Sequence, residues 1–240
     1  MPGRLSSSSE DSAAVSKLLF SYMSSNLIAQ PKLVGHRIAA SENDPIDAAL
    51  FEYLLAGNGL FVRARRREFA VSLPLSIQKI SGLPNSQIGV LWTNPRIAAS
   101  LWQEILLHAR QRHEASNFKE EVYLIYWDTA LSEWHWRASG REHSWASTVA
   151  DDTLPEYAEC CIELHTHPPG ALHFSRADDR DELGKFRLFA ILIDVHNKPK
   201  IRFRCGVYDH LIPIPAAWVG EMPEGIIDLN EIDAIVEMLS

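Results

Sequence analysis

The segment His165-Thr166-His167-Pro168, followed by seven residues, then Ser175 and, two residues on, Asp178, constrains this chain more than any other. Cys160 to His165 reads as a strand running into the turn Thr166 to Gly170, and Ser175 to Lys185 as a short polar helix. Histidines at i and i+2 of extended chain point to one face of a sheet. Pro168 and Pro169 cannot donate ladder hydrogen bonds and stop the strand. Gly170 lets the chain reverse, and seven residues bring a helix start back over the strand end. Asp178 then sits in the first helical turn. Two neutral imidazoles and one carboxylate form a three-ligand set with a fourth position open to water, the arrangement of a catalytic zinc site. Taken alone, Ser175 and Asp178 also fit a helix N-terminal cap.

A hydrolytic metal site needs a carboxylate to take a proton from water and give one to the leaving amine. Glu120, Glu121 and Glu163 are the candidates. Glu163 lies two residues before His165 and faces the same way, but one repeat further into the sheet. Glu120 and Glu121 open the apolar run Glu121 to Trp127, which reads as a buried strand able to lie beside the histidine strand.

On these residues the pattern resembles the JAMM motif of the JAB/MPN metalloprotease family: a Glu opening a strand, then H-[ST]-H-P, seven residues, S, two residues, D. The likeness covers residues 94–212. It implies an α+β fold, an α-β-α sandwich around a mixed sheet of cytidine deaminase-like type. It also implies zinc held by His165, His167 and Asp178, a Glu as general base and acid, and Ser175 hydrogen-bonded to the oxyanion. Glu121 is preferred as the base because Val122 follows it at once, as in the family. Two family glycines after the Glu are missing; Leu124 and Asp128 stand there for Glu121, or Tyr123 and Trp127 for Glu120. The implied activity is hydrolysis of peptide or isopeptide bonds after the Gly-Gly tail of a ubiquitin-like protein, with a ThiF/E1-like activating enzyme as a further partner. Residues 174–182 (FSRADDRDE) resemble a bacterial branch of the family, and the length and extra N-terminal region resemble the branch found in PRTRC cassettes. The tight turn within 186–208 leaves no room for the ubiquitin-clasping insertions of eukaryotic members. A non-catalytic MPN-type scaffold is the alternative, although no ligand of the motif is missing. An amidohydrolase barrel, which also opens with H-x-H, needs about 250 residues, largely after the motif, and is not expected.

Composition narrows the remaining classes. Of 240 residues, 46% are hydrophobic and 22% charged, an ordinary globular mix. The net charge of −8 disfavours binding to a phosphate backbone, so nucleic acid is not an expected partner. Apolar runs reach only about five residues, as at Phe189 to Ile193, against about 20 for a membrane span. Cys160, Cys161 and Cys205 form no disulfide framework, and the first residues lack the apolar stretch of a secretory signal. A cytoplasmic location is expected.

The expected organisation is a disordered tail (1–14), an α+β N-terminal domain (15–92), the JAB/MPN domain (93–220) and a C-terminal helix (221–240). Residues 45–57 read as a helix with Ile46, Leu50, Tyr53 and Leu54 on one stripe and Gly57 as its stop. Gly59 to Leu75 reads as a strand pair, with Arg63 and Arg65 to Arg67 on a solvated edge. Asn94 and Pro95 are expected to start a helix ending near His113. Strands are expected around Trp134 and Trp136, at 143–149, at 186–195 and at 201–208. Leu229, Ile232, Ile235, Val236 and Leu239 form the stripe of the last helix. His173 reads as a solvent-facing loop residue. Asp179, Asp181 and Glu182 read as a solvated helix face, and Trp127, Trp134, Trp136 and Trp145 as hairpin packing.

Overall fold

The computed structural model describes residues 32–116, 119–140 and 150–230. These residues form a mixed α+β structure made mostly of sheet. The tail 1–14, the strand expected at 143–149, Trp145 and the end of the chain from 231 lie outside the described residues.

The N-terminal part is a five-stranded sheet in the order β1 (Val34–Ile38), β2 (Phe51–Ala56), β3 (Gly59–Arg65), β4 (Phe69–Ile77), β5 (Gly89–Trp92). β1 and β2 run parallel and the other neighbours antiparallel. The helix expected over 45–57 is therefore a strand from Phe51 onward. A short apolar run buried on both faces fits a helical stripe and a strand equally well. Here the turn decides. Ala56 pairs with Gly59 across the two residues Gly57 and Asn58, a hairpin whose second strand follows at once. Gly59 takes φ +142°, and a side chain at Gly57 would meet the Leu83 carbonyl oxygen at 2.3 Å. The described residues of the N-terminal unit thus contribute strands and no helix.

The arginine cluster divides: Arg65 and Arg67 are exposed, as a solvated edge requires, whereas Arg63 and Arg66 are not. Arg63 is buried and lies 3.3 Å from Glu52, itself fully buried. Arg66 and Arg67 both pair with Glu68 at 2.7 Å, and Arg67 reaches Glu159 at 2.6 Å. Arg66 also donates to the Cys160 carbonyl at 2.8 Å. These side chains tie the first sheet to the segment leading into the histidine strand.

The second sheet has seven strands. Its main path runs β11 (His210–Ile214), β10 (Lys200–Tyr208), β9 (Lys185–Ile193), β8 (Ile162–His167), β6 (Val122–Asp128), β7 (Glu133–Ala138), and β12 (Ile227–Asp228) pairs with β10. β8 and β9 are parallel, as are β10 and β12; the remaining pairs are antiparallel. Helix α1 (Ala99–Ser116) starts four residues after Pro95. Ile97 is held extended by its bridge to Gly220, so the chain cannot turn helical at Asn94. Residues 221–230 carry β12 rather than the start of a C-terminal helix.

Leu101, Trp102, Ile105, Leu106 and Ala109 of α1 recur at helical spacing and enter one buried cluster. That cluster also holds Val62, Phe69 and Val71 of the first sheet and Tyr123, Leu164, Ala190 and Phe203 of the second. The two sheets therefore share one core. Cys161 faces this core and Cys160 a smaller cluster with Val122 and Leu124 on the opposite face. Tyr157 of α2 (Pro155–Glu159) packs against that smaller cluster, and α3 spans Arg176–Glu182. Among the described residues no helix is long and apolar enough to cross a membrane.

Candidate metal centre

Strand pairing determines what reaches the site. Side chains paired directly across neighbouring strands share a face. His165 pairs with Val122 of β6 on one side and Ile191 of β9 on the other, and Ile191 pairs with Arg202 of β10. One row further in, Glu163 aligns with Phe189 and Arg204. By alternation His167 joins the same face at the strand's C-terminal end, while Thr166 points toward α1.

The turn after His167 returns the chain to a short helix built as the spacing requires. Ser175 is its N-cap: its Oγ accepts from the backbone N–H of Ala177 and of Asp178, each at 3.2 Å. The Asp178 carboxylate accepts in return from the Ser175 N–H, completing a capping box. The cap and the metal-ligand readings of Ser-x-x-Asp thus coincide, because the box fixes the rotamer that aims Asp178 at the histidines. Asp178 Oδ1 lies 3.7 Å from His165 Nε2, and Oδ2 lies 3.6 Å from His167 Nε2. The two imidazoles stack at 5.1 Å with planes 4° apart.

These groups fit a divalent ion. Ligand atoms of all three residues lie within 4.8 Å of one another. Separations of 3.6–3.7 Å exceed a hydrogen bond, yet fall within twice the usual zinc–ligand length of about 2.1 Å. His167 Nδ1 lies 3.3 Å from the Ala171 carbonyl, which can only accept. Nδ1 therefore carries the proton and Nε2 turns its lone pair toward Asp178. His165 Nε2 is buried without a hydrogen-bond partner, an arrangement that is costly unless something else occupies that lone pair. Burial holds both imidazoles below the ordinary histidine range, most strongly at His165, opposed by the Asp178 charge. They are neutral near pH 7, the form that ligates.

The three glutamate candidates separate clearly. The Thr166 N–H donates to the Glu121 carbonyl at 2.9 Å, which continues the β6–β8 register by one residue. Glu121 therefore shares the face of Thr166, away from the histidines. Its N–H donates to Thr166 Oγ1 at 2.9 Å, and its buried carboxylate lies 3.0 Å from Arg112 Nε of α1. Glu163 is held by Arg187 at 2.8 Å and Lys185 at 3.4 Å. Glu120 falls opposite His167, on the ligand face. Burial first and the Asp178 charge second raise its carboxyl to about 7. Of the two adjacent glutamates, Glu121, preferred from the adjacent Val122, thus lies on the face away from the histidines, and Glu120 lies on the ligand side within reach of the Asp178 charge.

The remaining expectations divide. His173 is exposed. Of the acids expected on a solvated helix face, Asp181 is exposed and Asp179 half-exposed, but Glu182 is buried, and Asp179 and Glu182 both grip Arg204 of β10. Trp134 and Trp136 pack against the shared core, and Trp127 stands edge-on to Trp134 at 5.4 Å. Arg204 was missed by sequence reasoning; its alternation with Lys200 and Arg202 in the strand 200–208 signals only that these three share one face.

Compared with known proteins, the chain matches no protein-family model, no curated protein and no solved structure. The site is therefore read from its own geometry.

Proposed function

We propose that this protein is a zinc-dependent metallopeptidase or isopeptidase of the JAMM type. The observation that carries the reading is the buried, unpartnered Nε2 of His165 facing Asp178 beside an Nε2 of His167 whose tautomer is already set. His165, His167 and Asp178 would hold the metal. A bound zinc ion would supply the Lewis acidity that makes water a nucleophile at neutral pH and polarises a carbonyl.

The chain's own groups do the rest. Glu120 takes the proton of the attacking water and returns it to the departing amine. A carboxyl held near about 7 is matched to both transfers at neutral pH. The bonds that Ser175 Oγ accepts leave its own proton to donate to the carbonyl oxygen as charge grows there. Buried Thr166 and His113, 2.9 Å apart, back the histidine strand on its other face.

The proposed substrate is a peptide or isopeptide bond at the Gly-Gly tail of a ubiquitin-like protein, and a ThiF/E1-like enzyme that activates such a tail is the proposed partner. The resemblance of the motif supports this class, and the short β9–β10 connection argues for a tail recognised without a long clasping insertion. The test is cleavage of ubiquitin-like proteins extended beyond Gly-Gly, with and without o-phenanthroline. Metal-dependent release of the extension supports the reading. Full activity in the chelator, or no cleavage by zinc-loaded protein across a panel of such tails, contradicts it.

A further inference from the structure

The segment between His167 and Asp178 has to be held onto the sheet, because only the capping box fixes Asp178 from within its own short helix. Two β10 arginines on the ligand face provide that hold. Arg202 Nε donates to the Leu172 carbonyl at 3.0 Å and ties down the turn. Arg204, 7% exposed, sends Nε to Glu182 at 2.5 Å and Nη1 to Asp179 at 2.6 Å. These two acids stand one turn apart on α3, so a planar guanidinium bridges them in a way that a point charge cannot. The same guanidinium lies 3.8 Å from the centre of the Phe174 ring, and Phe174 meets His165 edge-on at 6.1 Å. One side chain thereby touches the helix that carries Asp178 and the ring that borders His165.

We propose that Arg204 is a positioning residue of the metal centre. It grips Asp179 and Glu182 to set the height of Asp178 over the sheet, and it braces Phe174 against His165. The inference rests on the metal-site reading above. It requires that loss of Arg204 weaken metal binding through Asp178 rather than through general loss of folding.

The test measures zinc affinity by competition with a chromophoric chelator, alongside apoprotein melting. The proteins are the full chain and its Arg204→Met, Arg204→Lys, Asp178→Asn and Arg204→Met/Asp178→Asn variants. Arg204→Met is expected to weaken zinc binding about 10- to 100-fold, the range for groups that orient ligands, and Arg204→Lys to restore only part of it. In the Asp178→Asn background, Arg204→Met is expected to change affinity less than threefold, since the ligand it positions is gone. Equal losses in both backgrounds would make Arg204 merely structural and overturn the inference, as would wild-type affinity in Arg204→Met. Absence of zinc binding by the wild-type chain would instead remove the metal-site reading and this inference with it. Should Arg204→Met not fold, Asp179→Asn carries the same comparison, because it removes only the half-exposed arm of the clamp.

Discussion

The Thr166 N–H donates to the Glu121 carbonyl at 2.9 Å, and that bond sets which of two adjacent glutamates shares the histidine face. It sets Glu121 level with Thr166, on the α1 side. The preceding residue, Glu120, falls level with His167. A one-residue slip would exchange them, since side chains alternate along a strand.

Glu120→Gln is expected to keep zinc and lose turnover by about 10²- to 10⁴-fold, the usual worth of a general acid–base group. Glu121→Gln should stay within a few-fold of wild type, because its carboxylate faces Arg112 of α1, on the side of the sheet away from the histidines. Rates of Gly-Gly tail cleavage by zinc-loaded variants check this, and the reverse ranking would return the role to Glu121.

The metal-free protein should lose stability on acidification through the buried imidazoles. Burial lowers their folded pKa below the unfolded value of about 6.5. The unfolded chain then binds more protons below that value, so the histidine contribution is complete above about 6.5 and is lost as pH falls toward the folded values. Urea unfolding in EDTA at pH 7 and pH 5 measures it. A His165→Leu variant should lose less over the same interval; an equal loss would assign the acid sensitivity elsewhere.

Arg63→Met should destabilise the chain by about 3–5 kcal/mol, because it strands the fully buried Glu52 charge. Adding Glu52→Gln should recover part of that loss, as removal of both charges leaves no unpaired buried charge. Denaturant unfolding of the single and double variants checks the cycle.

The grouping of His165, His167 and Asp178 was legible in the sequence because strand, turn and helix are contiguous there. The face of His165 and His167 follows from alternation, and the return of Asp178 from a capping signal. The proposed base was not legible in the same way. The choice between Glu120 and Glu121 depends on how β6 registers against β8, about 40 residues away, and a neighbouring Val122 says nothing about register. Nor could local pattern show that Phe51 to Ala56 is a strand, since both faces are covered and only the Gly57-Asn58 turn distinguishes it from a helix. The burial of Arg63 was hidden because its partner, Glu52, lies in another element, while Arg65 and Arg67 are exposed as their sequence suggests.

Zinc binding by the purified chain is the most direct measurement, read as metal content and as the shift in melting temperature on adding zinc to EDTA-stripped protein. Wild type should take up one zinc per chain, with stabilisation of about 2.7 kcal/mol at a free concentration 100 times the Kd. His167→Ala and Asp178→Asn should lose most of that shift. A wild-type protein that takes up no zinc, or ligand variants shifted as far as wild type, would contradict the account.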